Sequence, residues 1–163
     1  MNIGLLGFGV VGGGVWELAQ ENRALNVKKV LVRREAPSLG KAAVQDVEAI
    51  LRDTDIDTVV EVLGGLHPAY EWICQALAAG KDVVTANKAV ISAYYRELTA
   101  LAHENGAALR CTAAVGGGIP WLVNLQRCRR VDTVTEVGGI MNGTTNFIMD
   151  AMARHCLLYT SPS

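Results

Sequence analysis

The chain has no CxxC pair, almost no net charge and no long uninterrupted apolar run, and each absence removes a class of function. Its four cysteines, Cys74, Cys111, Cys128 and Cys156, show no metal-ligand spacing. They are expected to be reduced thiols in a cytoplasmic protein, not a disulfide framework or a zinc site. A formal net charge of −1 gives no electrostatic reason for a nucleic-acid or anionic-membrane partner. Met1 to Trp16 carries no charged side chain, but six glycines interrupt it and no Lys or Arg opens it. It therefore fits neither a signal peptide nor a bilayer span. What remains is 163 residues, 50% hydrophobic and 19% charged, which suits a soluble domain of ordinary size with the beginning of another. Such a length buries about two-thirds of the surface of its unfolded chain.

Strand and helix patterns alternate from the first residue. Ile3 to Leu6 is a short apolar strand, and GFGVVGGGVWELAQENR begins as a glycine turn and becomes helical, with Val11, Val15, Leu18 and Ala19 at helical spacing. Val27 to Val32 makes a second strand ending in Arg33-Arg34. A polar stretch with Pro37 and Gly40 follows, and Asp46 is placed to cap a short helix through Arg52. IDTVVEVLGG supplies a third strand (Ile56 to Gly65). Pro68 opens a helix to about Ala79, with Gly80 as its stop. Asp82 to Thr85 is a fourth strand, Ser92 caps a helix through about Glu104, and Ala108 to Thr112 is a fifth strand leading into AAVGGGIP.

This alternation predicts an α/β fold, a doubly wound parallel sheet of the Rossmann type, in which ligands sit beyond the carboxyl ends of the strands. Gly7–Gly12, Arg33, Gly64–Gly65, Asn87–Lys88 and Gly116–Gly118 all fall at such ends.

Gly7-Phe8-Gly9-Val10-Val11-Gly12 matches GxGxxG. With 17 glycines in the chain the pattern alone is weak, but here it follows a strand and opens a helix. Gly7 permits the tight turn, Gly9 lets the backbone approach a pyrophosphate, and Gly12 lets helix and strand pack closely. The helix N-terminus offers free N–H groups and partial positive charge to phosphates. An acid about 20 residues further on would mark NAD. Instead Val32-Arg33-Arg34 stands there, with Glu35 the first acid. A guanidinium suits the 2′-phosphate of NADP, so NADP is favoured and NAD remains possible.

GKDVVTANKAVIS (Gly80 to Ser92) sets Lys88 just past the fourth strand, on the same edge as the glycine loop. Hydride transfer at a carbonyl carbon creates or consumes alkoxide charge, and an ammonium aimed at that oxygen can stabilise it or pass it a proton. The plain alternative is a solvated loop lysine.

Three further segments, TANK (Thr85 to Lys88), AAVGGGIP (Ala113 to Pro120) and GIMNGTTNFIMDAM (Gly139 to Met152), join GLLGFGVVG and VVEVLGG. In collinear order over Met1 to Met152 they closely resemble the homoserine dehydrogenase family. The resemblance implies NAD(P)-dependent interconversion of L-homoserine and L-aspartate 4-semialdehyde, in the branch leading to threonine and methionine. It also implies a homodimer in the full-length protein. On that pattern Phe8, Val10, Val11, Arg33 and Gly64 line the cofactor, and Lys88 lies between cofactor and substrate. Asn142, Gly143 and Thr144, beside Thr145 and Asn146, would face the substrate. The backbone carbonyls of Val115, Gly117 and Ile119 match positions that hold sodium. Many members carry a glutamate three residues before that valine, where this chain has Thr112, which offers oxygen but no charge.

The resemblance implies a cofactor domain over 1–130 and the opening of a substrate and dimerisation domain over 131–154, with a strand at about Thr133 to Ile140. Trp72 and Trp121 read as core or interface aromatics. CLLYTSPS is similar to translated sequencing adapter, so 155–163 is expected to be a non-native tail on a truncated chain. Two alternatives stand beside this reading. One is a dehydrogenase of the glucose–fructose oxidoreductase type, which typically reads EKP where this chain reads ANK. The other is a non-catalytic dinucleotide-binding regulatory module.

Overall fold

The computed structural model describes residues 1–34, 36–139 and 142–155. Glu35, Ile140, Met141 and the expected tail from Cys156 onward lie outside them. The chain divides into two units, Met1–Leu122 and Val123–Ser163.

In the first unit the strands β1 (Asn2–Leu6), β2 (Asn26–Leu31), β3 (Ala43–Val44), β4 (Thr58–Glu61), β5 (Asp82–Thr85) and β6 (Leu109–Arg110) form one sheet. Their order is β3-β2-β1-β4-β5-β6 and every neighbouring pair is parallel. The connecting helices are α1 (Val10–Glu21), α2 (Glu48–Leu51), α3 (Ala69–Ala78) and α4 (Lys88–Glu104). The expected doubly wound sheet is present.

Because successive strand residues point to opposite faces, each strand feeds two cores. Leu6, Val59 and Val83 pack with Ile50, Ile73, Leu77, Val90 and Leu98 from α2, α3 and α4. Ile3, Leu5, Val30 and Val60 pack on the other face with Leu39 and with Val15 and Trp16 of α1. Ile73 and Leu77 are fully buried, and each contributes roughly 2 kcal/mol through apolar burial. At the amino-terminal edge, the buried Lys81 donates from Nζ to the carbonyls of Asp53 (2.6 Å) and Ile56 (2.7 Å), while Lys29 pairs with the Asp53 carboxylate at 2.8 Å.

Four details differ from expectation. The helix expected to be capped by Ser92 begins five residues earlier, at Lys88, because Asn87 is its cap: Oδ1 of Asn87 accepts the N–H of Val90 at 3.2 Å. The polar stretch after Arg34 holds a 3-10 turn (Pro37–Ala42) and the sixth strand, β3. A helix, α5 (Trp121–Cys128), follows Pro120. No strand forms over 133–139; a strand's N–H and C=O groups need a partner strand, and the second unit holds none among the described residues.

In the second unit α6 (Gly143–His155) begins where Asn142 Oδ1 accepts the N–H of Thr145 at 2.9 Å, which is N-cap chemistry. Phe147, Ile148, Met149 and Met152 on α6 are exposed.

Candidate functional site

A parallel sheet puts all its strand ends on one edge, and the order places β1 between β2 and β4. The carboxyl ends of these three strands open onto a cavity of about 860 Å³, a volume in the range of small-molecule sites. Gly7, Phe8 and Gly9 form its floor, Leu31, Val32, Arg33 and Arg34 one wall, and Val62, Leu63, Pro68 and Trp72 the other. A smaller cavity of about 340 Å³ adjoins it, sharing Val32, Ala36 and Gln45 and running beside Pro37 and Gly40.

The loop's geometry follows from its glycines. Gly7 has φ 107°, a conformation L side chains rarely adopt. Gly9 is the N-cap residue of α1, and no side chain caps the helix, so its first-turn N–H groups have no intrahelical partner. Nothing lies within 4 Å of where a Cβ on Gly9 would sit. An open cradle beneath free N–H groups is the arrangement that accepts a phosphate, so the residues present fit a dinucleotide's pyrophosphate.

Of the residues singled out from sequence, Gly7, Phe8, Gly9 and Arg33 line this cavity. Val10 and Val11 are exposed on the first turn of α1, and Gly12 is buried behind it. Gly64 lies in the turn after β4. Lys88 is exposed at the first position of α4, past the end of β5. Val115, Gly117 and Ile119 follow β6 in the first unit, with Gly116 and Gly117 at φ 84° and 59°. Asn142, Gly143 and Thr144 belong to the second unit and open α6. Trp72 packs against the core as expected, and it also lines the cavity.

Sequence reasoning missed a buried polar cluster next to this edge. Glu61, the last residue of β4, is wholly buried, as is Thr85, and Asn87 is nearly so. The Glu61 carboxylate accepts from the N–H of Leu63 (2.8 Å), the hydroxyl of Thr85 (2.6 Å) and Nδ2 of Asn87 (3.3 Å). The signal available was an acid closing an otherwise β-branched strand.

A family model described as the NAD-binding domain of homoserine dehydrogenase matches residues 7–112. The chain belongs to the homoserine dehydrogenase family. A second model, described as homoserine dehydrogenase, matches residues 120–160. The homoserine dehydrogenase of Synechocystis sp. is 42% identical over 93% of the chain, and that of Bacillus subtilis 38% identical over 94%. A homoserine dehydrogenase structure from Thiobacillus denitrificans superposes with a TM-score of 0.87 at 36% identity over 94% of the chain. The chain spans 38% and 39% of the lengths of the first two relatives. The first unit is thus an NAD-binding fold of this family. Among the described residues no helix is long and apolar enough to cross a membrane, and no three His, Cys, Asp or Glu side chains gather as metal ligands.

Proposed function

We propose that the chain is the cofactor-binding part of an NAD(P)-dependent homoserine dehydrogenase, interconverting L-homoserine and L-aspartate 4-semialdehyde, and that it prefers NADP. The observation that carries the reading is the meeting of an uncapped α1 N-terminus and the Arg33–Arg34 wall in one cavity. A nicotinamide dinucleotide bound there would supply or accept the hydride. The first-turn N–H groups of α1 hold its pyrophosphate, and Arg33, with Arg34 beside it, takes the 2′-phosphate. Lys88, at the next strand end, donates from Nζ to the substrate oxygen. There it holds the proton that the alcohol gives up or that the aldehyde's oxygen receives. The substrate assignment of Asn142, Gly143 and Thr144 belongs to the same reading, as do the cytoplasmic location, the homodimer and the division into a cofactor domain over 1–130 and the start of a substrate domain over 131–154.

The carbonyls of Val115, Gly117 and Ile119 are a weak donor set for sodium. Ile119 O already accepts the N–H of Trp121 at 2.7 Å, and Thr112 brings no charge.

The reading is tested by joining the chain, through Met152, to the remaining length of the Synechocystis relative and assaying homoserine-dependent reduction of NADP. Turnover by the joined protein, absent from the 163-residue chain alone, is the expected result. A joined protein that folds and binds NADPH but has no activity would refute it.

A further inference from the structure

Glu61 is a buried carboxylate without a counter-charge: no ion pair among the described residues includes it. Burying a polar group without hydrogen-bond partners is costly, so its surroundings must satisfy it. They do so through donors, with Leu63 N–H, Thr85 Oγ1 and Asn87 Nδ2 all directed at it. Asn87 is also the cap of α4.

The same side chains bond onward. Nδ2 of Asn87 donates to the carbonyl of Gly65 at 2.7 Å, its N–H donates to Thr85 Oγ1 at 3.0 Å, and its Oδ1 accepts from Val90 at 3.2 Å. Gly64 and Gly65 lie at φ 77° and 75°, and a Cβ on either would touch nothing. Side-chain packing at these two glycines does not hold the turn in place. Its tethers are the bonds from Glu61 to Leu63 and from Asn87 to Gly65. On the far side of the cluster, Asn87 fixes the first turn of α4, where Lys88 stands.

We propose that Glu61 is a positioning residue that, through Thr85 and Asn87, holds the Gly64–Gly65 turn and Lys88 as one rigid rim beside the cofactor cleft. The proposal rests on the cofactor reading for what the rim does, and on the hydrogen bonds alone for the coupling itself.

The test uses the chain with Glu61→Gln, which keeps shape but replaces an acceptor oxygen with a donor amide, and the pair Thr85→Val and Thr85→Ser, which removes and restores the hydroxyl. Hydrogen exchange reports the coupling. Binding of NADPH against adenosine 2′,5′-bisphosphate, which lacks the nicotinamide half, reports its use. Glu61→Gln and Thr85→Val are expected to speed exchange at 63–65 and 87–90 together while amides of β1 and β2 stay protected. NADPH affinity should fall about tenfold, a loss of roughly 1.4 kcal/mol, with the bisphosphate unchanged. Thr85→Ser should restore both. Exchange that rises throughout the sheet, or in only one of the two turns, overturns the coupling, as does equal loss or equal retention of both ligands. If Glu61→Gln does not fold, the Thr85 pair decides the coupling by the same measurements. If the unsubstituted chain binds neither ligand, the cofactor reading fails separately, and the exchange pattern still decides whether Glu61 couples the turns.

Discussion

Gly12 lies so close to the carbonyl of Gly7 that a Cβ on Gly12 would sit 2.2 Å from the oxygen. Gly9, between them, has open space on the same test and an ordinary φ of −88°. The glycines of the loop therefore do different physical work. Gly12→Ala forces α1 away from the turn after β1 and should cost about 1–3 kcal/mol of stability, the usual range for overpacking. Gly9→Ala should leave the melting temperature unchanged yet weaken NADPH at least about tenfold, because its methyl group fills the phosphate cradle. Thermal unfolding and nucleotide titration of both variants check this. A Gly9→Ala chain that binds NADPH like the parent would remove the pyrophosphate from this loop.

Arg33 and Arg34 are both exposed on the cavity wall, so replacing them leaves no buried group unpaired and the fold should be unaffected. Arg33→Ala should weaken NADPH while leaving NADH nearly untouched, because only the former carries the 2′-phosphate. A charge-assisted hydrogen bond contributes about 1.5–3 kcal/mol, so the NADPH/NADH affinity ratio should drop by roughly 10- to 100-fold. Parallel titrations with the two reduced cofactors measure it, and an unchanged ratio would return the choice of cofactor to NAD.

Much of the sheet was legible because its signals are local. The strand Asp82–Thr85 appears with the expected bounds, since a β-branched run followed by a polar turn reports its own ends. The strand β3 was not legible. Its two residues, Ala43 and Val44, become a strand through pairing with Val30 and Leu31, and pairing is not written in the segment itself. The same holds at the site. Lys88 and the glycine loop announce themselves through neighbours in sequence. Glu61 meets Thr85 and Asn87 across 24 and 26 residues, a contact that exists only once β4 and β5 lie side by side. The start of α4 was misplaced for a related reason: Ser92 and Asn87 offer the same capping chemistry, and burial of Asn87 beside Glu61 decides between them.

Lys88 occupies the first position of α4, where the helix dipole disfavours a cation. It is exposed and forms no ion pair among the described residues, so folding gains little from it. Lys88→Ala should therefore leave stability unchanged or raise it by about 0.3–1 kcal/mol. NADPH binding by the chain should stay within a few-fold of the parent. In the protein joined to the Synechocystis remainder, the same change should abolish homoserine oxidation. Unfolding curves, cofactor titration and the coupled assay separate these effects. A Lys88→Ala enzyme with normal turnover would return the residue to the solvated surface.

The acid limb of stability should belong in part to Asp57. The Asn2 N–H donates to its Oδ2 at 2.9 Å and the Thr58 hydroxyl to its Oδ1 at 2.7 Å. The backbone bond from Asn2 is the main cause that holds the Asp57 carboxyl below its ordinary 3.8, against the opposing effect of burial. Asp53 is depressed likewise, chiefly by its bond from Lys29 and then by the Asp55 N–H. A group whose folded value is depressed stabilises the protein above its unfolded value, and that contribution is lost as pH falls through it toward the folded value. Burial raises the Cys111 thiol above 9.0, so its contribution is present below 9.0 and lost as pH rises beyond it. Stability should thus be level through neutral pH and fall at both ends. Asp57→Asn should flatten the decline between roughly pH 5 and 3, and Cys111→Ala the decline above about pH 9. Urea unfolding across the range, with each variant normalised to its own neutral-pH value, reads both limbs; an acid limb as steep in Asp57→Asn as in the parent would assign that linkage to other carboxylates.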